Sequence, residues 1–377
     1  MIRAFVDQIS ALLAQHPFQD DDQLWATLRR LLRAHAPSGG AWLPGAIVDD
    51  IQAVCVDMGF GDHFVRQIGA TGNAGMAFGA DKAVADIIIL AHMDRPTYRV
   101  RSVNDGLLYP MCATRFPTSE YRVGAKALRF IDGRMQVSAR GILVTEDGGK
   151  TVSLQVTEGE LAWHDTVTMD VEPTLEDGQI QGTGLDNCLG VVSALGLAIV
   201  LGRIESELVT ADRRCLLVFT DQEEGVPEAY FGHGAARLAY AALPPSVGCI
   251  IVDAQNVSDA LKPGAGVGHG TVSAWSRGSV VPPNLIALAL DLSEAVNEKH
   301  PNTVQMNTGY LSRSDDMPLG RWSQILGMIG APLLEPHTGE ERADLSDVRC
   351  AYQWLSYFAL AAIGLDAQTS HAYALNY

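Results

Sequence analysis

The sequence predicts an α/β fold carrying a small β-rich insertion, and three observations support this. Continuous aliphatic runs, among them Ile87 to Leu90, Cys215 to Phe219 and the VGCIIVD segment, read as strands buried on both faces. Segments with apolar residues three and four apart stand between those runs, as helices packed on a sheet require. Both signals fade from Pro96 to Ile180, where apolar residues are short and alternating and Asp-Gly pairs recur. A chain of 377 residues, 47% hydrophobic and 19% charged, can bury one large core and one smaller one. The α/β domain is expected to be discontinuous, at 1–96 and 181–377, with the β-rich domain at 97–180.

Taken in order, DDDQLWATLRRLLRAH at 20–35 places Leu24, Leu28, Leu31 and Leu32 on one helical face, with acids at the end the helix dipole favours. Ile47, Ile51, Val54, Cys55 and Met58 mark a second helix, and residues 63–79 read as a hairpin around GATGNAG. The strand in ADIIILAHMD follows. Inside the insertion, Asp132-Gly133, Asp147-Gly148 and Asp177-Gly178 are turn signals, and WHDTVTMDV at 163–171 reads as one of its last strands. GTGLDNCLGVVSALGLAIVLGRI opens a helix with Val192, Leu195 and Ile199 on one face. Then come the strand ending at Phe219, a helix around AARLAYAAL, the VGCIIVDAQN strand and a strand over GTVSAWSRGS. A helix at 283–298, a short NTVQM strand and an amphipathic helix at 345–363 complete the chain.

A formal charge of −17 argues against nucleic acid and anionic membranes as partners. MIRAFVDQIS has Asp7 inside its only apolar stretch, so it does not read as a signal peptide. The longest apolar run, Val191 to Gly202, is shorter than a bilayer span. Six cysteines, at 55, 112, 188, 215, 249 and 350, form no C-x-x-C pair and read as reduced thiols of a cytoplasmic protein.

The chemistry gathers where the strands end. LLVFTDQEEGVPEAY closes a buried strand with Asp221, Glu223 and Glu224, then breaks at Gly225 and Pro227. Adjacent carboxylates at the mouth of a buried strand repel unless a cation or a shared proton neutralises them, although an isolated pair more often marks a solvated loop. His92 and Asp94 follow their strand at i and i+2, on one side of an extended chain, where a carboxylate can fix the tautomer of a metal-binding histidine. Asp186 sits where a loop turns into a helix, a position that an N-cap also fills. Asp253 ends the VGCIIVD strand, and His337 lies in a loop. In an α/β sheet the carboxyl ends of the strands share an edge, and ligands bind there. Two histidines and three carboxylates, one of them bridging, would hold two divalent ions ~3.5–4 Å apart. Nitrogen and oxygen ligands without thiolate suit zinc, cobalt or manganese better than calcium.

Taken together, AHMD, LDNCLG, QEEG, IVD and PHTGEE occur in an order that resembles the dinuclear zinc aminopeptidase and carboxypeptidase clan. The long interval from Asp94 to Asp186 resembles the tetrahedral, TET-type aminopeptidases (metallopeptidase family 42), which include glutamyl and deblocking aminopeptidases and relatives labelled endoglucanases. The resemblance runs from APSG at 36–39 to DLSDV at 344–348. It implies a mixed-sheet zinc-exopeptidase domain with helices on both faces. It implies that His92 groups with Asp253 on one ion and Glu224 with His337 on the other, that Asp186 bridges, and that Asp94 orients His92. Glu223 would be the general base, taking the proton of a metal-activated water and passing it to the leaving amine. Peptides with a free α-amine would be the substrates. A homo-oligomer, a hollow dodecamer, would form through the insertion, whose strand edges need cover.

The sequence departs from the family pattern at three places. Asn187 and Cys188 stand where an aspartate and an arginine are usual, HMDRP replaces the usual residues after the H-x-D, and GVPEAYFGHGA is a long link. These put substrate preference in doubt more than metal binding. Asp315 and Asp316 fall where relatives carry a loop beside the substrate, and a solvated loop would look the same. His233 and His269 could face the cleft, but read better as ordinary surface or core histidines. Two other readings stand beside the peptidase: an amidohydrolase or deacylase acting on a non-peptide amide, and a non-catalytic metal-binding scaffold. Retention of Glu223 weighs against the scaffold, which needs no base.

Overall fold

The computed structural model describes residues 2–112, 116, 118–146, 150–224, 232–273, 278–310 and 313–375. Eight strands form one mixed sheet in the order Phe64–Val65, Ala74–Gly79, Arg214–Thr220, Ile87–His92, Gly248–Val252, Ile325–Gly330, Val267–Gly270 and Val304–Asn307. The four from Arg214–Thr220 to Ile325–Gly330 run parallel. Every residue of Ile87–His92 and Gly248–Val252 is buried, which is why these strands are continuously apolar instead of alternating. The expected hairpin is present, with Phe64–Val65 antiparallel to Ala74–Gly79.

The helix Leu185–Arg203 packs against the Ile87–His92 strand and the helix Leu345–Ala362. A Cβ at Gly196 would stand 2.6 Å from that of Tyr352, so a glycine lets the two helices close. Leu185–Arg203 is long and apolar enough to cross a membrane by length and composition, unlike the shorter run seen in the sequence, but nearly all of it is buried within the protein. The helix Asp21–Arg33 is capped by the Asp20 side chain, which accepts from the amide of Asp22. A helix not anticipated from the sequence, Ile2–Leu13, buries Phe5, Val6, Ile9 and Leu13 and packs on Pro283–Lys299 and Leu345–Ala362. The strand expected over GTVSAWSRGS lies earlier, at Val267–Gly270, where both edges find partners. Beyond it the chain folds back, Val272 bridging Val280, with 274–277 outside the described residues.

Residues 98–169 build a second, antiparallel sheet in the order Leu108–Pro110, Tyr98–Val100, Thr166–Met169, Tyr121–Ile131, Arg134–Glu146 and Thr151–Gly159. It encloses its own core, including Tyr98, Leu143, Leu154 and Val167. Its outer strands were expected to have open edges. Instead Leu107 bridges Ser153 and the amide of Leu154 donates to Gly106 at 2.8 Å, so the sheet curls and its two ends meet. Asp132 and Gly133 both take positive φ, 50° and 79°, the conformation a tight hairpin turn demands. Asp177 and Gly178 do the same, at 50° and 81°, whereas Asp147-Gly148 lies outside the described residues. The strands flanking Asp177, Thr174–Glu176 and Gln179–Gly182, pair with each other, and Gln179–Gly182 pairs in turn with Glu341–Asp344, not with the curled sheet. Buried Ile180 opposite Ala343 sets that pairing, which ties the approach to Asp186 to the segment that follows His337.

Candidate metal centre

Three parallel neighbours end together. The Ile87–His92 strand lies between Arg214–Thr220 and Gly248–Val252, with His92 opposite Thr220 and Leu90 opposite Ile251. That register delivers His92, Glu223, Glu224 and Asp253 to one sheet edge. Asp186 reaches the same place from the first turn of Leu185–Arg203. His337 comes from the loop between Pro332–Leu333 and Glu341–Asp344, held at a left-handed φ of 63°.

The geometry divides into two halves that share one carboxylate. Asp186 Oδ1 lies 3.1 Å from His92 Nε2, and Asp186 Oδ2 lies 3.4 Å from His337 Nε2. On the first side Asp253 Oδ1 stands 3.4 Å and Glu223 Oε2 3.8 Å from His92 Nε2. On the second, Glu224 Oε1 stands 3.1 Å from His337 Nε2. Asp253 Oδ1 and Glu224 Oε1 are buried and have no hydrogen-bond donor among the described residues. Ligand atoms ~2.0–2.1 Å from a tetrahedral ion are ~3.3–3.4 Å from one another, close to the separations seen here. Four carboxylates and two imidazoles in a largely buried pocket are a costly arrangement unless cations are shared among them, so the residues fit a pair of divalent ions. Burial raises the Glu223 carboxyl well above the usual range, with Asp253, Glu224 and Asp315 adding to it and His92 opposing. Burial would likewise depress the His92 imidazole, but Glu223, Asp253 and Asp186 push it well above its ordinary value.

The supporting contacts are specific. His92 Nδ1 faces the backbone carbonyl of Asp94 at 3.2 Å, which leaves Nε2 turned to the centre. The Asp94 carboxylate serves the neighbouring loop, accepting from the amides of Glu223 at 3.1 Å and Glu224 at 3.2 Å. Glu341, the last residue of PHTGEE, is fully buried and accepts from the amides of His337 at 2.9 Å and Leu185 at 2.7 Å. It therefore sets the backbone on both sides of the second half-site, and burial followed by Asp186 raises its carboxyl to about 8. Nothing local in the sequence marks it beyond its place at the end of PHTGEE. Asn187 replaces a charged residue with a clamp: its amide donates to the carbonyl of Val252 at 2.8 Å and accepts from Gly190 and Ala254. Its neighbour Cys188 meets the second departure, HMDRP, with Arg95 Nη2 donating to Cys188 Sγ at 3.4 Å. Most of GVPEAYFGHGA falls at 225–231, outside the described residues.

The remaining candidates separate. Asp316 is saturated, accepting from Ser273, Ser279 and Ser314, and serves the loop. Asp315 accepts from Thr220 through one oxygen while its other, Oδ1, is buried without a donor, and burial raises its carboxyl to about 7. His269 is a core residue between Trp354 and Phe358, accepting from Trp354 Nε1 at 3.1 Å. His233 is a half-buried residue opening the helix His233–Ala241, its amide donating to Gln222.

No family model matches the chain, and no curated protein matches it. Solved structures do. An aminopeptidase from the archaeon Desulfurococcus kamchatkensis aligns over 90% of this chain and 94% of its own, with 20% identity and a TM-score of 0.69. The TET aminopeptidase of the marine sediment archaeon Thaumarchaeota archaeon SCGC AB-539-E09 aligns over 93% and 99%, with 15% identity and a TM-score of 0.70. The Pyrococcus horikoshii TET1 peptidase, described as able to assemble into a tetrahedron or a large octahedral shell, aligns over 89% and 99%, with 15% identity and a TM-score of 0.67. The chain has the fold of the TET-type aminopeptidases, as its motifs implied.

Proposed function

We propose that this protein is a dinuclear-metal aminopeptidase that removes N-terminal residues from peptides. One observation supports the reading most. A single partly buried carboxylate, Asp186, turns one oxygen to each of two imidazoles, and beside each imidazole lies another carboxylate oxygen that no donor satisfies. His92 and Asp253 would hold one divalent ion, His337 and Glu224 the other, and Asp186 both. Zinc suits these ligands, and cobalt or manganese would also bind. When bound, such ions activate water for attack and polarise the scissile carbonyl. Glu223 stands farther from His92 than the ligands do and has a raised proton affinity, which suits a base that first accepts a proton and then returns it to the leaving amine. Asp94 holds the glutamate loop in place for that exchange.

The fold likeness to aminopeptidases supports peptide substrates. A panel of aminoacyl amides and short peptides, free or N-acetylated and supplied with zinc, cobalt or manganese, tests the reading. Free-amine substrates should turn over and a chelator should abolish the activity. Cleavage of N-acetylated or non-peptide amides alone would reassign the centre to an amidohydrolase, and metal binding without any amide hydrolysis would leave a scaffold.

We further propose that the protein self-associates through the curled sheet into a dodecamer. The closed sheet weakens the argument from open strand edges, and the support comes from its surface. Phe130 and Trp163 remain 49% and 69% exposed at the same end of that sheet, a large aromatic surface for a free subunit.

A further inference from the structure

The metal centre receives one residue from the curled sheet. Cys112 follows the strand Leu108–Pro110, and its loop is anchored by the amide of Met111 donating to Thr97 at 2.8 Å. The opposing loop is anchored to the same sheet, with the amide of Gly339 donating to Tyr121 Oη at 2.9 Å. Between these anchors Cys112 is buried, 6% exposed, and its thiol touches the His337 ring. Cys112 Sγ, a Glu224 carboxylate oxygen and a His337 ring nitrogen all lie within 4.8 Å of one another. Glu224 Oε1 is the buried oxygen left without a donor on this side. Among the described residues no other cysteine falls in such a group.

We propose that Cys112 gives a thiolate to the ion held by His337 and Glu224, so that the two half-sites differ in kind. This rests on the dinuclear reading above. The His92 side offers nitrogen and oxygen only, whereas the His337 side adds sulfur. Binding exchanges the S–H bond for an S–metal bond and releases one proton to solvent for each ion taken up. A soft sulfur ligand makes that half-site select zinc or cobalt over manganese and magnesium. It also ties the curled sheet to the catalytic edge, so that filling the site fixes one against the other.

Titration of metal-free protein with cobalt(II), followed by absorption, tests this without reference to turnover. The wild type should show near-ultraviolet thiolate-to-cobalt charge transfer as the His337 half-site fills. Cys112→Ser should lack that band, bind the first ion unchanged and bind the second at least ~10–100-fold more weakly. Cys350→Ser should keep the band, and unchanged binding at the first half-site reports that Cys112→Ser is folded. Two bound cobalt ions with no charge-transfer band, or a band that survives in Cys112→Ser, would overturn the sulfur ligand while leaving the dinuclear reading intact. A wild type that binds no cobalt would overturn both.

Discussion

Replacing Glu223 with glutamine keeps the shape of the side chain and removes its capacity to carry a proton. The loop should hold, because its anchors are the backbone amides of Glu223 and Glu224 on the Asp94 carboxylate, and the substitution touches neither. Metal content should hold as well. Glu223 Oε2 stands 3.8 Å from His92 Nε2, against 3.1 Å and 3.4 Å for the oxygens of Asp186 and Asp253, so it is the outlying carboxylate on that side. The loss therefore falls on proton transfer, and kcat should drop ~10²–10⁴-fold, equivalent to ~3–5 kcal/mol in the barrier. The matched variant Glu224→Gln removes a charge 3.1 Å from His337 Nε2 and should lose an ion. Elemental analysis of both variants beside steady-state kinetics on an aminoacyl amide decides the matter. Equal metal loss in the two, or turnover by Glu223→Gln within tenfold of wild type, would show that the pair is wrongly divided.

Glu341→Gln can accept through only one of its two terminal atoms, so one of the amides of Leu185 and His337 is left facing a donor. Stability should fall by ~1–3 kcal/mol in chemical unfolding and metal affinity by ~10–100-fold in chelator competition, and unchanged affinity would count against a positioning role. His269 is held neutral by burial, its imidazole lowered to about 3 from 6.5. Its contribution is thus complete above pH 6.5 and is lost as pH falls towards 3, because the unfolded chain takes up the proton first. Between pH 7 and 4.5 the wild type should lose ~3 kcal/mol more stability than His269→Gln, measured by urea unfolding, and parallel losses would refute this. Light scattering should give a mass near twelve times the 40.4 kDa chain, and Phe130→Asp with Trp163→Asp should lower it. A wild-type mass near one chain with full activity would rule the assembly out.

The buried strands and most helices were legible in the sequence because each is a local pattern. Ile87 to Leu90 is apolar without a break since both faces are covered, and Leu24, Leu28, Leu31 and Leu32 recur at the helical period since one face is. The polar residues that interrupt those patterns at strand ends, His92, Glu223, Glu224 and Asp253, were visible for the same reason: an ionisable group beside a buried run needs a partner. Tertiary structure alone decided who the partners are. The strands of His92 and Glu223 lie side by side although the whole curled sheet separates them along the chain, and no local period records that pairing. Only packing brings Glu341 under the amides of Leu185 and His337, or sets the thiol of Cys112 against the His337 ring in a centre expected to lack sulfur. The curled sheet likewise closes through Leu107 and Ser153, a contact between two ends that each look open in sequence. Periodicity reports whether a residue is buried. What it is buried against depends on contacts between distant segments, which form only as the whole core packs.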